Sequence, residues 1–273
     1  MKLRLTIFIA SILIIIITIL MIDIHGKRND GQSDNTEEWN LVWSDEFDGD
    51  SINENNWSFD IGGGGWGNKE LEYYTDRKEN VRTEDGKLVI EARKEQIYDY
   101  NYTSARLTTK NLQSFTYGKI EARICFPKEQ GLWPAFWMVG CDKDTIDWPK
   151  CGEIDIVEQI NKENLIYGSA HYFIDDSNLN FHKQVTKTKN QIDVNSYHTY
   201  SIEWDDKKIQ WFVDDIKYNE INISDIEAFH KPFYMMLNLA IGGKWPKDPD
   251  ETTNLPAKMY VDYIRVYKNY TMK

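Results

Sequence analysis

From Trp39 onward the apolar positions fall in short runs broken by turn residues, not at helical spacing. Leu88-Val89-Ile90-Glu91-Ala92 follows the turn signal Glu84-Asp85-Gly86. Lys119 to Phe126 alternates apolar and polar, and so does Thr199 to Trp204, the period-two pattern of a half-buried strand. Lys208 to Val213 is expected to pair with Thr199 to Trp204 across Asp205-Asp206-Lys207. Phe233 to Ile241 and Met259 to Tyr267 complete the series. No segment after residue 38 keeps a helical period, and no repeat recurs at a fixed interval. Many short strands separated by turns predict an all-β, two-sheet sandwich.

The first residues follow another rule. Lys2 and Arg4 precede an apolar run from Leu5 to Ile22, and His25, Lys27 and Arg28 follow it. A basic start before an apolar stretch reads as an export signal. At about 18 residues the stretch is also at the threshold for a membrane span. No small-x-small cleavage site stands before Asp23. Residues 1–25 are therefore read as a signal peptide or a membrane anchor, and either places the rest of the chain outside the cytoplasm. Residues 26–38 are polar and read as a disordered linker.

Composition narrows the class. The 273 residues are 41% hydrophobic and 14% aromatic, which suits one large β domain. The net charge of −12 argues against nucleic acid, anionic lipid and polyanionic substrates. Ten Trp and sixteen Tyr offer apolar faces to sugar rings, although aromatics also fill β cores. Of the three cysteines, Cys141 and Cys151 flank a loop and can pair, leaving Cys125 buried in a strand. Three reduced thiols fit equally, and no metal-binding Cys/His spacing is present.

The chemistry is carried by Gly152-Glu153-Ile154-Asp155-Ile156-Val157-Glu158. The β-branched residues favour a strand, which puts Glu153 and Asp155 on one face. Glu158, five positions after Glu153, falls on the other face unless one extra residue intervenes. A β-bulge near Ile156-Val157 restores it, and bulges are common beside active sites. Carboxyls held close raise one another's pKa. One protonated and one ionised carboxyl is the pair that glycosidic-bond cleavage needs, with a separation of about 5–5.5 Å in retaining enzymes. The competing reading is the acidic solvent face of an ordinary strand.

This motif resembles the signature of glycoside hydrolase family 16 in its bulged, laminarinase-type branch. The resemblance extends through Trp43 to Gly49, Gly62 to Asn68, Glu70 to Thr75 and Tyr102 to Arg106. It continues in Tyr117 to Arg123, Trp133 to Met138, Leu237 to Gly243 and Tyr260 to Tyr267. It covers nearly everything after the N-terminal segment and implies a catalytic domain over 39–271, a jelly roll with a concave substrate cleft.

By matching position, the resemblance implies Glu153 as nucleophile, Glu158 as general acid/base and Asp155 as the partner that tunes Glu153. Trp133 and Trp137, which share a strand face, are expected to stack on glucosyl rings. Trp66, carried over the cleft on its loop, is a substrate-binding candidate. Asn68 and Arg106 are expected to hydrogen-bond sugar hydroxyls, His171 to bond a carboxylate or the sugar, and Trp148 and Trp245 are weaker cleft candidates. No cofactor is required, but the family often binds one calcium ion, at positions matching Glu46, the Gly86 carbonyl and Asp262. The activity implied is retaining endo-hydrolysis of β-1,3-glucan by a monomer, with a neutral β-glucan as partner and no nucleic acid. Mixed β-1,3/1,4-glucan cleavage, envelope-remodelling transglycosylation and non-catalytic glycan binding are the alternatives. All three acids are present, which disfavours the last.

Overall fold

The computed structural model describes residues 38–176 and 179–269. The expected signal or anchor at 1–25, and the linker at 26–38 except its last residue, lie outside the described residues. In chain order the strands are β1 (Asn40–Asp45), β2 (Ser58–Phe59), β3 (Glu72–Tyr74), β4 (Val81–Thr83), β5 (Leu88–Ile97) and β6 (Tyr100–Ser104). There follow β7 (Arg106–Thr108), β8 (Gly118–Cys125), β9 (Leu132–Gly140), β10 (Glu153–Gln159), β11 (Leu165–Asp176) and β12 (Leu179–Asn190). The last are β13 (His198–Trp204), β14 (Lys208–Val213), β15 (Ile216–Asn222), β16 (Phe233–Ile241) and β17 (Ala257–Lys268).

They form two sheets, an all-β jelly-roll sandwich. One sheet of seven strands runs β12-β11-β10-β9-β16-β7-β2. The other, of ten strands, runs β15-β14-β13-β8-β17-β5-β6-β3, with β1 on β17 and β4 on β5. The hairpin expected around Asp205-Asp206-Lys207 forms, with Trp204 opposite Ile209. The turn closes because the Asp205 side chain accepts from the Lys207 and Lys208 amides.

Alternation decides which residues meet between the sheets. On β9, Leu132, Phe136 and Met138 enter the main core, while Trp133 and Trp137 take the opposite face. On β16, Phe233, Met235, Leu237, Leu239 and Ile241 face the core. Tyr234 and Met236 instead join Val139 and Cys151 in a small apolar cluster against Trp137. That second layer buries the outer face of β16 at Tyr234 and Met236, and the strand is buried along its whole length. Burial of each large apolar side chain contributes about 1.5–3 kcal/mol.

The three cysteines are free thiols. Cys151 turns into the small apolar cluster whereas Cys141 faces solvent, so the two are not paired. Cys125 is half-buried rather than enclosed.

Candidate active site

The irregularity expected in the acidic strand is present. Against β11, Asp155 pairs with Ser169 and Glu158 with Tyr167, so three steps on β10 meet two on β11. Against β9, Asp155 pairs with Trp137 and Val157 with Phe136, which locates the extra residue at Ile156. Ile154, Ile156 and Val157 all enter the core. Glu153, Asp155 and Glu158 are left together on the outer face.

A bulge leaves backbone groups without ladder partners. The Asp155 carbonyl, at the edge of this one, accepts the indole N–H of Trp211 at 2.8 Å. Trp211 lies on β14 in the other sheet and is fully buried. Gly168, opposite the bulge, makes room for it. A Cβ there would lie 2.6 Å from the Trp211 ring and 2.5 Å from the Tyr218 hydroxyl.

Each glutamate is held by one indole. Trp133 Nε1 donates to Glu158 Oε1 at 3.0 Å, and Trp148 Nε1 donates to Glu153 Oε2 at 3.1 Å. His171 Nε2 lies 3.1 Å from Asp155 Oδ2 and 3.7 Å from Glu153 Oε1. Donor atoms of Glu153, Asp155 and His171 fall within 4.8 Å of one another.

The electrostatics follow from burial and crowding. Burial pushes Glu153 up to about 8, the like charge of Asp155 adds to the rise, and His171 opposes it. Burial also raises Asp155 to about 8. Glu158 is raised well above the usual carboxylate range, first by burial and then by the charges of Asp155 and Glu153. Three carboxyls this close do not all ionise together. Glu158 keeps its proton most firmly, while Glu153 and Asp155 both lie near 8 and give theirs up first; the Trp148 indole and His171 favour the anion on Glu153.

Arg106 marks one flank of the acids. Its Nε donates to Asp60 at 3.0 Å, and its guanidinium lies 4.7 Å from the Trp66 ring centre and 5.1 Å from that of Trp137. Trp137 Nε1 donates to Asn238 Oδ1 at 2.8 Å. Asn238 in turn donates to Tyr74, and Tyr74 to the buried Glu70. Asn68 donates to Glu70 at 3.4 Å, which ties it into this network. On another flank Trp245 packs on Trp133 and Tyr167, with ring centres 5.2 and 4.7 Å apart.

Residues 68–265 match the sequence model of glycosyl hydrolases family 16. The chain belongs to that family. A beta-glucanase from Rhodothermus marinus is 41% identical over 261 residues, covering 87% of this chain and 88% of its own length. The laminarinase catalytic domain of Thermotoga maritima is similar with a TM-score of 0.79 and 44% identity, over 85% of this chain and 99% of that one. The clotting factor G alpha subunit of Tachypleus tridentatus is 42% identical over 238 residues and 85% of this chain, which spans 34% of that subunit's length.

In this family 16 chain the expected calcium residues lie apart from the acids, on the ten-stranded sheet and its turns. Both carboxylate oxygens of Glu46 accept from Arg265, at 3.0 and 2.8 Å. Asp262 Oδ2 accepts from Arg123 at 2.6 Å. Gly86 sits in the turn between β4 and β5, where Glu84 and Lys87 exchange backbone hydrogen bonds. As placed, Glu46 and Asp262 are each the counter-ion of an arginine and not free oxygen donors for calcium.

Several contacts of the family 16 site had no signal in the sequence. Asp60 is 46 positions from Arg106, Asn238 is 101 from Trp137, and Trp211 is 56 from Asp155. His182 stands 3.0 Å from His171 across β11 and β12. Only the fold brings these pairs together.

Proposed function

We propose that the chain is a retaining endo-β-1,3-glucanase acting on laminarin-like β-glucans. The observation that carries this reading is the bulge at Ile156, which leaves Glu153, Asp155 and Glu158 on one face. The beta-glucanase and laminarinase names of the relatives support the choice of glucan.

In the first half-reaction the Glu153 carboxylate attacks the anomeric carbon and a glycosyl ester forms. Glu158 gives its proton to the departing glycosidic oxygen. The Trp133 N–H favours the carboxylate that this transfer leaves on Glu158, because hydrogen bonds to a charged acceptor are the stronger ones. In the second half-reaction Glu158 takes a proton from water as the water attacks the ester. The sugar is released with its anomeric configuration retained and Glu153 is again a carboxylate. Asp155 and His171 adjust the charge of Glu153, Asp155 raising its pKa and His171 lowering it. Trp133, Trp137 and Trp66 offer ring faces to glucosyl units, and Arg106 offers donors to hydroxyls.

The N-terminal segment supports export of the domain, either secreted or anchored at the outer face of the membrane, where a glucan polymer is accessible. A monomer suffices for this chemistry. The test is reducing-sugar release from laminarin, lichenan, agarose and xyloglucan side by side. The reading requires laminarin to be the preferred substrate. Preference for agarose or xyloglucan, or no hydrolysis of any, would overturn it.

A further inference from the structure

One residue touches both groups that contact Glu153, and the mechanism above does not use it. His182 lies on β12, the edge strand beside β11. In the register of the pair His171 faces Gln184, and His182, two positions earlier, shares that face. His182 Nε2 is 3.0 Å from His171 Nδ1, and the rings are stacked at 5.2 Å with 23° between their planes. The Trp148 ring packs edge-on against His182 at 4.6 Å. Trp148 donates to Glu153 Oε2, and His171 Nε2 lies beside Glu153 Oε1 and Asp155 Oδ2.

We propose that His182 is a positioning residue that fixes the tautomer and tilt of His171 and the ring of Trp148 against the nucleophile. The proposal rests on the glycosidase reading for its kinetic part. His171 Nε2 lies 3.1 Å from Asp155 Oδ2 but is not aligned as a hydrogen bond, so the partner at Nδ1 carries the choice of tautomer. If His171 offers an Nε2–H to the Asp155 carboxylate, its Nδ1 must accept, and His182 supplies the Nε2–H. If Asp155 carries the proton, His171 accepts at Nε2 and donates from Nδ1, and the lone pair of His182 Nε2 receives it. A neutral imidazole serves in either state. Partial burial and the neighbouring His171 hold His182 below the ordinary histidine range, which favours that neutral form. Without His182 the Nδ1 atom of His171 faces open solvent and both tautomers compete.

His182→Ala is expected to lower kcat on laminarin by about 10-fold with KM little changed, less than the ~100-fold that a 1 Å misplacement can cost. His182→Gln restores kcat to near the wild-type value, because an amide can donate or accept at the same place. The imidazole nitrogen NMR signals of His171 move in His182→Ala and return in His182→Gln. That signal is read in the free enzyme and does not depend on which glucan is cleaved, so it separates failure of this proposal from failure of the functional reading. Unmoved His171 signals in His182→Ala, or a loss of kcat that Gln does not restore in a folded variant, would overturn it.

Discussion

The indole of Trp133 donates to Glu158, the carboxyl whose proton is held most firmly, at 3.0 Å. This bond favours the ionised form of Glu158, so it matters most when the proton leaves for the glycosidic oxygen. Trp133→Phe keeps a ring for stacking and removes the donor. A hydrogen bond to a charged group contributes about 1.5–3 kcal/mol, so kcat is expected to fall roughly 10- to 100-fold. The alkaline limb of the kcat/KM profile moves to higher pH, since Glu158 then holds its proton more tightly. A pH–rate profile of the variant checks both effects.

Glu158→Gln removes the acid without changing its volume. General acid catalysis supplies about 10²–10⁴-fold, and that loss is expected on laminarin. An aryl glycoside with an acidic phenol needs little protonation to depart. Formation of its glycosyl ester therefore survives in the variant, and a burst of phenol in single-turnover kinetics reports it.

Glu153 is raised from 4.5 to about 8 in the folded chain, so folded protein binds this proton more tightly than unfolded protein does. Its contribution to stability is complete below pH 4.5, and is lost as pH rises through about 8. Glu153→Gln carries no such proton. The variant is expected to gain melting temperature over wild type at about pH 9 and to gain much less at about pH 4. Thermal unfolding at the two pH values provides the comparison, and an equal difference at both contradicts the assignment.

Gly168 leaves space for Trp211, whose indole satisfies the carbonyl exposed by the bulge. Gly168→Ala forces a methyl group into a buried ring. Such overpacking costs about 1–3 kcal/mol and displaces the strand carrying the acids, so stability and kcat should fall together. Trp211→Phe removes the partner of a buried carbonyl, at a cost of about 1–3 kcal/mol. Denaturant melts and kcat measured on the same preparations test the coupling.

The sandwich was legible because several of its strands announce themselves. Lys208–Val213 and Phe233–Ile241 have the bounds expected from their patterns. The two-residue β2 and three-residue β3 are too short to show a period, and β11 and β12 pass through mixed polar sequence that hides theirs. The bulge was visible as a conflict between Glu158 and a strict period of two. Its supports were not. Trp211, Gly168 and His182 have ordinary local sequence, and their roles depend on which strands become neighbours.

The most direct test of the central claim is to trap the covalent intermediate with a 2-fluoro laminari-oligosaccharide bearing a good leaving group and to map the labelled peptide by mass spectrometry. The account predicts a single glycosyl ester on Glu153. A label on Glu158 or Asp155, or turnover without any ester and with inverted product, would contradict it.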